Sequence, residues 1–345
     1  MILISLIIPI YNVQDYIERC LDSIICQESE DFGLECILVN DSTPDGSMRI
    51  IERRLDCYSG KIDFIVINHE VNKGLSASRN TGLKHANGDF IFFIDSDDRL
   101  EEGALKYMVD ALQVETVGDL SIDVVIGNTF ICKNEKKAMS FIQDAPFLLD
   151  NTGENALRML LNRELYHIAC NKLVRRKLLL NFDLYFKEGI IDEDMLWSYL
   201  VFLNAESVLV LPKTTYIYED NPTSIMNTTS KRIAHRISSR IFICKQILDS
   251  PPRTSLAEYY MYVFYIFIRA INLYELNRSD EMVRDYSKEL FMLRNRLLDE
   301  VLHKRLVFMY MFFLTSKKPL YALTNCRLYR RYYDKIAKCV LLVSK

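Results

Sequence analysis

Between Ile2 and Ile126, short apolar runs alternate with segments of helical periodicity, and this alternation narrows the possible folds more than any other feature of the chain. The strand candidates are Ile2–Ile8, Cys36–Val39, Ile62–Ile67, Phe90–Ile94 and Val124–Ile126, short and rich in β-branched or aromatic residues. Between them Val13–Cys26, Ser47–Cys57, Ala77–Ala86 and Leu105–Val114 read as helices. In the first, Ile17, Cys20, Leu21 and Ile24 recur at helical spacing. Such alternation predicts an α/β fold, a mainly parallel sheet with helices on both faces. Sheets of this kind bind ligands beyond the carboxyl ends of their strands. Four polar clusters fall there: Pro9-Ile10-Tyr11-Asn12, Asn40-Asp41-Ser42, Asn72-Lys73-Gly74 and Asp95-Ser96-Asp97.

The last cluster is the most demanding. Asp95, Asp97 and Asp98 follow the apolar run Phe90–Ile94 directly, and carboxylates so close repel one another unless a cation neutralises them. A polar turn closing a strand is the plainer alternative, since Asp and Ser are ordinary turn residues. Further along, a hairpin is expected to about Ile142. A mixed segment to Pro212 contains Asn171-Lys172-Leu173 and Asp192-Glu193-Asp194, which opens the helical pattern Met195–Leu203. The strand-like Thr214–Tyr218 follows. Beyond Ser230 nearly everything is helical, and no glycine occurs after Gly189. The expected division is an α/β domain over 1–228 and a helical region over 229–345.

Composition excludes several classes. Half the residues are hydrophobic, enough for a sizeable core. The net charge of -3 conceals a basic end: residues 303–345 carry ten Lys/Arg and one acidic residue, Asp334. The acidic remainder argues against a nucleic-acid partner. The nine cysteines form no C-x-x-C pair and read as reduced thiols of a cytoplasmic protein, not a zinc site. Met1–Ile10 lacks a basic leader and reads as a first strand, and no apolar run reaches the ~20 residues of a membrane span. In the tail, Lys304, Arg305, Arg330 and Arg331 interleave with Phe308, Phe312, Tyr332 and Tyr333. Either a packed helical pair or an interfacial anchor on an anionic membrane surface fits that pattern.

Four stretches together resemble the family 2 glycosyltransferases of the GT-A fold, of the bacterial surface-polysaccharide type: "SLIIPIYNVQDYIERCLDSI", "ILVNDSTPDGS", "NKGLSASRNTGLKHANGDFIFFIDSDD" and "IIDEDMLWSYL". The resemblance implies a Rossmann-like GT-A domain followed by a C-terminal helical region. It implies a nucleotide-sugar donor, UDP-linked by preference, and a saccharide or lipid-linked saccharide as acceptor. Asp97 matches the metal ligand of a DxD-type motif, with Asp95 on the ribose or the metal, and the hard oxygen donors suit Mn2+ or Mg2+. Pro9, Tyr11, Asn12, Asp41, Arg79, Ser96 and Lys172 match the donor-binding stretches. Arg79 and Lys172 are expected as cations for the donor, against the plainer reading of solvated or structural side chains. In the family the acidic pair here seen as Glu193-Asp194 supplies the base, and Asp194 matches the second position. Asp98 is expected at the acceptor or sugar, or as a helix N-terminal carboxylate. The match is imperfect in two places. Asn40 and Pro44 depart from the common D-D-G-S form, leaving Asp45 as a turn-shaping residue, and Glu219-Asp220 stand where the family often carries a basic residue. A non-catalytic relative acting as a scaffold in glycan assembly is the alternative from another class. A nucleotidyltransferase is the enzymatic alternative, but "PIYNVQDY" lacks the glycine- and basic-rich loop it would need. The expected location is cytoplasmic, with the tail able to hold the chain peripherally on the inner face of the plasma membrane.

Overall fold

The run Leu3–Ile10 forms strand β1, buried on both sides along almost its whole length. In the computed structural model, which describes residues 1–114, 122–133, 136–139, 146–150, 154–219, 221, 230–254 and 256–303, β1 is followed by α1 (Ile17–Ile25), β2 (Gly33–Asn40), α2 (Ser47–Asp56), β3 (Asp63–Asn68), α3 (Leu75–His85) and β4 (Phe90–Phe93). Then come β5 (Arg99–Leu100), α4 (Ala104–Val114), β6 (Val124–Lys133), β7 (Lys136–Met139), β8 (Phe147–Asp150) and α5 (Asn155–Leu161). β9 (Lys172–Arg175), α6 (Arg176–Asn181), α7 (Glu193–Asn204) and β10 (Ser207–Tyr218) complete the α/β part.

The strands form one sheet in the order β3-β2-β1-β4-β9-β6-β10-β5, with β7 beside β6 and β8 beside β10. β3, β2, β1 and β4 pair in parallel, as do β6 and β10. β9 lies antiparallel between β4 and β6, so those two strands share a direction. This mixed, mostly co-directional sheet is the α/β architecture expected from the sequence. Alternation along β1 covers both faces. Ile4, Leu6, Ile8 and Ile10 enter a cluster with Ile17, Cys20, Leu21 and Ile24 of α1, Ile51 of α2, and Leu105 and Met108 of α4. Ile7 faces α3, where a Cβ on Gly82 would lie 2.3 Å from its Cγ2. Only glycine lets that helix approach so closely.

The expected strands and helices recur with shifted ends. α1 begins at Ile17, not Val13, because Asn12 N–H and Val13 N–H are bonded to Thr43 Oγ1 and Ser47 Oγ across the next loop. Asn12 itself holds φ 54°, a left-handed conformation that asparagine tolerates. The hairpin is present as β6 and β7, and its expected end near Ile142 lies outside the described residues.

By contact, the chain divides into two units: the described residues of Met1–Leu160, Glu164–Gly189 and Glu193–Ile225, and those of Leu161–Arg163, Ile190–Asp192 and Met226–Lys345. The second unit is the C-terminal helical region, with α8 (Ser230–Asp249), α9 (Leu256–Asn277), α10 (Glu281–Arg284) and α11 (Ser287–His303). Ile237, Ile241, Cys244 and Ile247 of α8 and Tyr259, Val263, Ile266 and Phe267 of α9 are buried in it. Arg240 there bonds Asp192 at 3.0 Å. No helix among the described residues is long and apolar enough to cross a membrane. The basic tail from Lys304 onward lies outside the described residues.

Candidate active site

The carboxyl ends of β1, β2 and β4, together with the start of β9, collect the polar residues singled out in the sequence. Pro9 is buried within β1, paired with Val39, while Tyr11 emerges 43% exposed beyond the strand. Asp41, at the exit of β2, is 2% exposed and anchors the loop after β3. Its Oδ1 accepts from the Lys73 backbone N–H at 2.8 Å and meets His69 Nδ1 at 2.7 Å, and its Oδ2 accepts from Gly74 N–H at 2.8 Å. His69 Nε2 in turn lies 2.9 Å from Thr81 Oγ1 on α3. A carboxylate satisfied by several donors is a stable fixture for a loop, and Gly74 at φ 89° supplies the turn. Asp45 instead ties the β2–α2 turn, accepting from Thr43, Ser47 and the Gln14 N–H. Burial opposes its ionisation, but the bonds from Ser47 and Thr43 outweigh this and hold its pKa below the ordinary carboxylate value.

At the exit of β4 the three aspartates diverge. Asp98 turns inward, 2% exposed, accepting from Tyr216 Oη at 2.7 Å and from Glu219 N–H at 2.9 Å, so it braces the end of β10, not helix α4. Burial, then Asp95 and Asp97, push its pKa well above the ordinary value. Ser96 is buried beside it. Asp97 is part-buried and accepts from Asn221 Nδ2 at 2.9 Å. Burial and the neighbouring charge of Asp95 raise its pKa as well. Asp95 points to Arg79, whose Nη2 donates to its Oδ1 at 2.8 Å.

Arg79, 3% exposed on α3, also donates from Nη1 to Glu193 Oε1 at 2.7 Å, and its guanidinium lies 5.0 Å from the centre of the Phe186 ring. Burial opposes its charge, but Asp95 and Glu193 more than compensate and raise its pKa. Glu193 opens α7 and is buried, which pushes its carboxyl up to about 7 despite Arg79. Asp194, next on the helix, is part-buried and close enough to Lys172 to stabilise its charge. Lys172 starts β9, donates to the Ile168 carbonyl, and lines a small cavity with Tyr166, Cys170 and Asn171. Burial lowers its pKa to about 8.

The structure therefore brings Asp95, Arg79 and Glu193 into direct contact, with Asp97 and Asp194 their sequence neighbours. Asp41, Tyr11 and Asn12 stand at the same sheet edge on β1 and β2. His69, Phe186, Tyr216 and Asn221 are supports that pattern reading missed. His69 had one usable signal, its place one residue beyond β3. Glu219 bonds Arg99 at 2.8 Å, and Asp220 lies outside the described residues.

Among the described residues no three His, Cys, Asp or Glu side chains are arranged to hold a metal by themselves. Asp97 and Asp95 still fit one. Both offer hard oxygens, and burial disfavours the charge of Asp97; such a donor set suits a Mg2+ or Mn2+ ion that takes its other ligands from phosphate and water.

A Rossmann-like, mostly co-directional sheet with helices on both faces and polar residues at the carboxyl ends of its strands is the GT-A architecture. The chain belongs to glycosyl transferase family 2, whose family model matches residues 5–181. It is 31% identical over 226 residues to the uncharacterized glycosyltransferase EpsJ of Bacillus subtilis, covering 65% of this chain and 62% of that protein. It is 30% identical over 216 residues to poly(ribitol-phosphate) beta-N-acetylglucosaminyltransferase TarS of Staphylococcus aureus, covering 62% of this chain and 35% of TarS. The alignments thus span less than two thirds of either relative. A crystal structure of TarS 1–349 in complex with UDP-GlcNAc superposes with a TM-score of 0.64 at 21% identity, covering 86% of this chain and 80% of that one. The fold is shared.

Proposed function

We propose that the chain is an inverting, metal-dependent glycosyltransferase. It moves a hexose or N-acetylhexosamine from a nucleoside-diphosphate sugar, UDP-linked, to a growing cell-surface glycan or lipid-linked saccharide. The observation that carries this reading is the convergence on one guanidinium of Asp95 at 2.8 Å and Glu193 at 2.7 Å, the latter 114 residues from Arg79 in sequence. Displacement in line needs the leaving group held on one side of the anomeric carbon and a base on the other, and the two acidic segments meet that need. Asp194 takes the proton of the acceptor hydroxyl as its oxygen bonds to the anomeric carbon. The bond to the diphosphate breaks on the opposite face, the electron pair leaves with the diphosphate, and the configuration inverts. Asp97, with Asp95, would hold Mn2+ or Mg2+, which supplies Lewis-acid neutralisation of the leaving diphosphate. Pro9, Tyr11, Asn12, Asp41 and Ser96 form the nucleoside side, with the exposed Tyr11 ring available to stack on the base. TarS is a beta-N-acetylglucosaminyltransferase with a structure in complex with UDP-GlcNAc, which favours a UDP-N-acetylhexosamine among donors.

Residues 1–228 act as the catalytic domain and 229–345 as the helical one, whose tail meets an anionic membrane surface at the inner face of the plasma membrane and brings the site to a lipid-linked acceptor. A scaffold without catalysis would need neither Asp97 nor Asp194. Asp194→Asn tests the chemistry, because it keeps shape and removes the base: turnover falls by roughly 10²–10⁴-fold with donor affinity unchanged. Loss of affinity with surviving turnover of bound donor would make Asp194 a binding residue.

A further inference from the structure

We propose that Arg79 is a positioning residue: it fixes the distance between Asp95 at the exit of β4 and Glu193 at the start of α7, and through Glu193 it aims Asp194. This rests on the reading of Asp97 and Asp194 given above. A residue that touched the donor phosphates would present an accessible guanidinium. Here the side chain is 3% exposed, and each terminal nitrogen is directed to a carboxylate, Nη1 to Glu193 at 2.7 Å and Nη2 to Asp95 at 2.8 Å.

The guanidinium also lies over an aromatic ring. The Phe186 ring lies 5.0 Å from the guanidinium and stacks on Trp197 at 4.7 Å, with Phe93 edge-on to both at 5.1 and 5.5 Å. Trp197 belongs to α7 and its Nε1 donates to the Leu184 carbonyl at 2.9 Å. The next residue on α3, Asn80, clamps the Phe186 backbone from both directions, accepting from its N–H at 2.8 Å and donating to its carbonyl at 2.9 Å. Arg79 and Asn80 thus join α3 to the segment leading into α7 through charge, stacking and amide pairing together.

The arrangement has a cost that packing alone would avoid. Arg79 Nε is buried without a hydrogen-bond partner, and Glu193 is buried beside it. Apolar side chains at both Arg79 and Glu193 would fill the space without those penalties. What only a planar, rigidly forked cation provides is one fixed spacing between two carboxylates. In a displacement reaction that spacing separates the leaving-group side from the base side, where small errors are expensive.

The test is a cycle of Arg79→Met, Glu193→Gln and the double variant, with Arg79→Lys as the milder change should Arg79→Met fail to fold. Melting is measured without substrate, UDP-N-acetylglucosamine binding by calorimetry with MnCl2, and turnover over the same nucleotide-sugar panel for every variant. Lysine keeps the charge but cannot bridge, so Arg79→Lys should lose about 10²-fold in kcat with donor affinity close to wild type. Arg79→Met should lower the melting temperature by roughly 10 °C, and adding Glu193→Gln should restore part of it by removing the stranded carboxylate. Donor affinity that collapses while kcat survives would make Arg79 a donor ligand and overturn the proposal. Melting shifts that simply add, or a coupled melting effect with unchanged kcat, would overturn it as well. A wild-type protein that turns over no nucleotide sugar would refute the functional reading and the positioning role with it, while the melting cycle would still show whether Arg79 and Glu193 are a structural pair.

Discussion

Asp41→Asn is a small change in shape with a large expected effect. The carboxylate receives Lys73 N–H, Gly74 N–H and His69 Nδ1, all within 2.8 Å. An asparagine keeps one acceptor oxygen and turns the other position into a donor. If its amide nitrogen replaces Oδ2, it faces the Gly74 N–H. If it replaces Oδ1, His69 can change tautomer and accept, but the Lys73 N–H loses its partner. In either rotamer one part-buried backbone N–H loses its acceptor. Bonds to a charged acceptor are worth ~1.5–3 kcal/mol each, and a stranded buried donor costs a similar amount, so the expected loss is about 3 kcal/mol. Urea unfolding reports it through Trp197, the single tryptophan of the chain, which is 1% exposed within the same unit. A midpoint lower by roughly 1 M follows from that loss. An unchanged midpoint would refute the view that Asp41 organises the 69–74 loop. If stability falls while UDP affinity stays the same, Asp41 is an organiser and not a contact to the base.

Asp97→Asn should remove metal-dependent donor binding and nearly all transfer, while thermal stability holds or rises slightly, because a buried charge beside Asp95 is relieved; calorimetry with and without MnCl2 checks both. Lys172 has its pKa lowered by burial to about 8, from 10.5 in the unfolded chain. Its charge therefore burdens the fold below about pH 8, and the burden lifts as pH rises through 8 toward 10.5. Wild type should gain up to ~3 kcal/mol relative to Lys172→Met across that window, and parallel pH–stability curves for the two would sink the assignment. Deleting 304–345 should abolish salt-sensitive binding to anionic liposomes, to which each lysine or arginine contributes about 1 kcal/mol, and leave donor binding intact. Equal liposome binding by both forms would return the tail to an ordinary helical end.

Elements with strong local pattern were legible in the sequence. β1, β2, β4 and α1 declare themselves because each buries one periodic apolar face or a continuous apolar run, and β3 shows as an apolar run although none of its residues is fully buried. β9 did not, since Lys172–Arg175 has two cations in four residues. Its strand conformation comes from pairing with β4 and β6, while Arg175 covers Phe90 and bonds the Ile122 carbonyl. Only Thr214–Tyr218 of β10 was visible, because Pro212 interrupts the run that begins at Ser207. The clustering of polar residues at one sheet edge followed from strand direction alone. Which carboxylate meets which partner did not. Arg79 and Glu193 are far apart in sequence, and Asp98 is fixed by Tyr216, 118 residues away. Glu35 shows the same limit. It lies inside a strand yet is 4% exposed, because Ser5 and the backbone N–H groups of Asn87 and Gly88 donate to it and hold the turn before β4.

The central claim, a cation-dependent site for a nucleoside-diphosphate sugar, is tested most directly by a panel of UDP- and GDP-sugars. Each is assayed by calorimetry for binding and by nucleotide release for hydrolysis, in MnCl2 and again in excess chelator. One UDP-linked hexose or N-acetylhexosamine is expected to bind and to be slowly hydrolysed to UDP in MnCl2, with both signals vanishing in chelator and in Asp97→Asn. Binding and hydrolysis indifferent to chelator, or no binding by any sugar nucleotide, would contradict it.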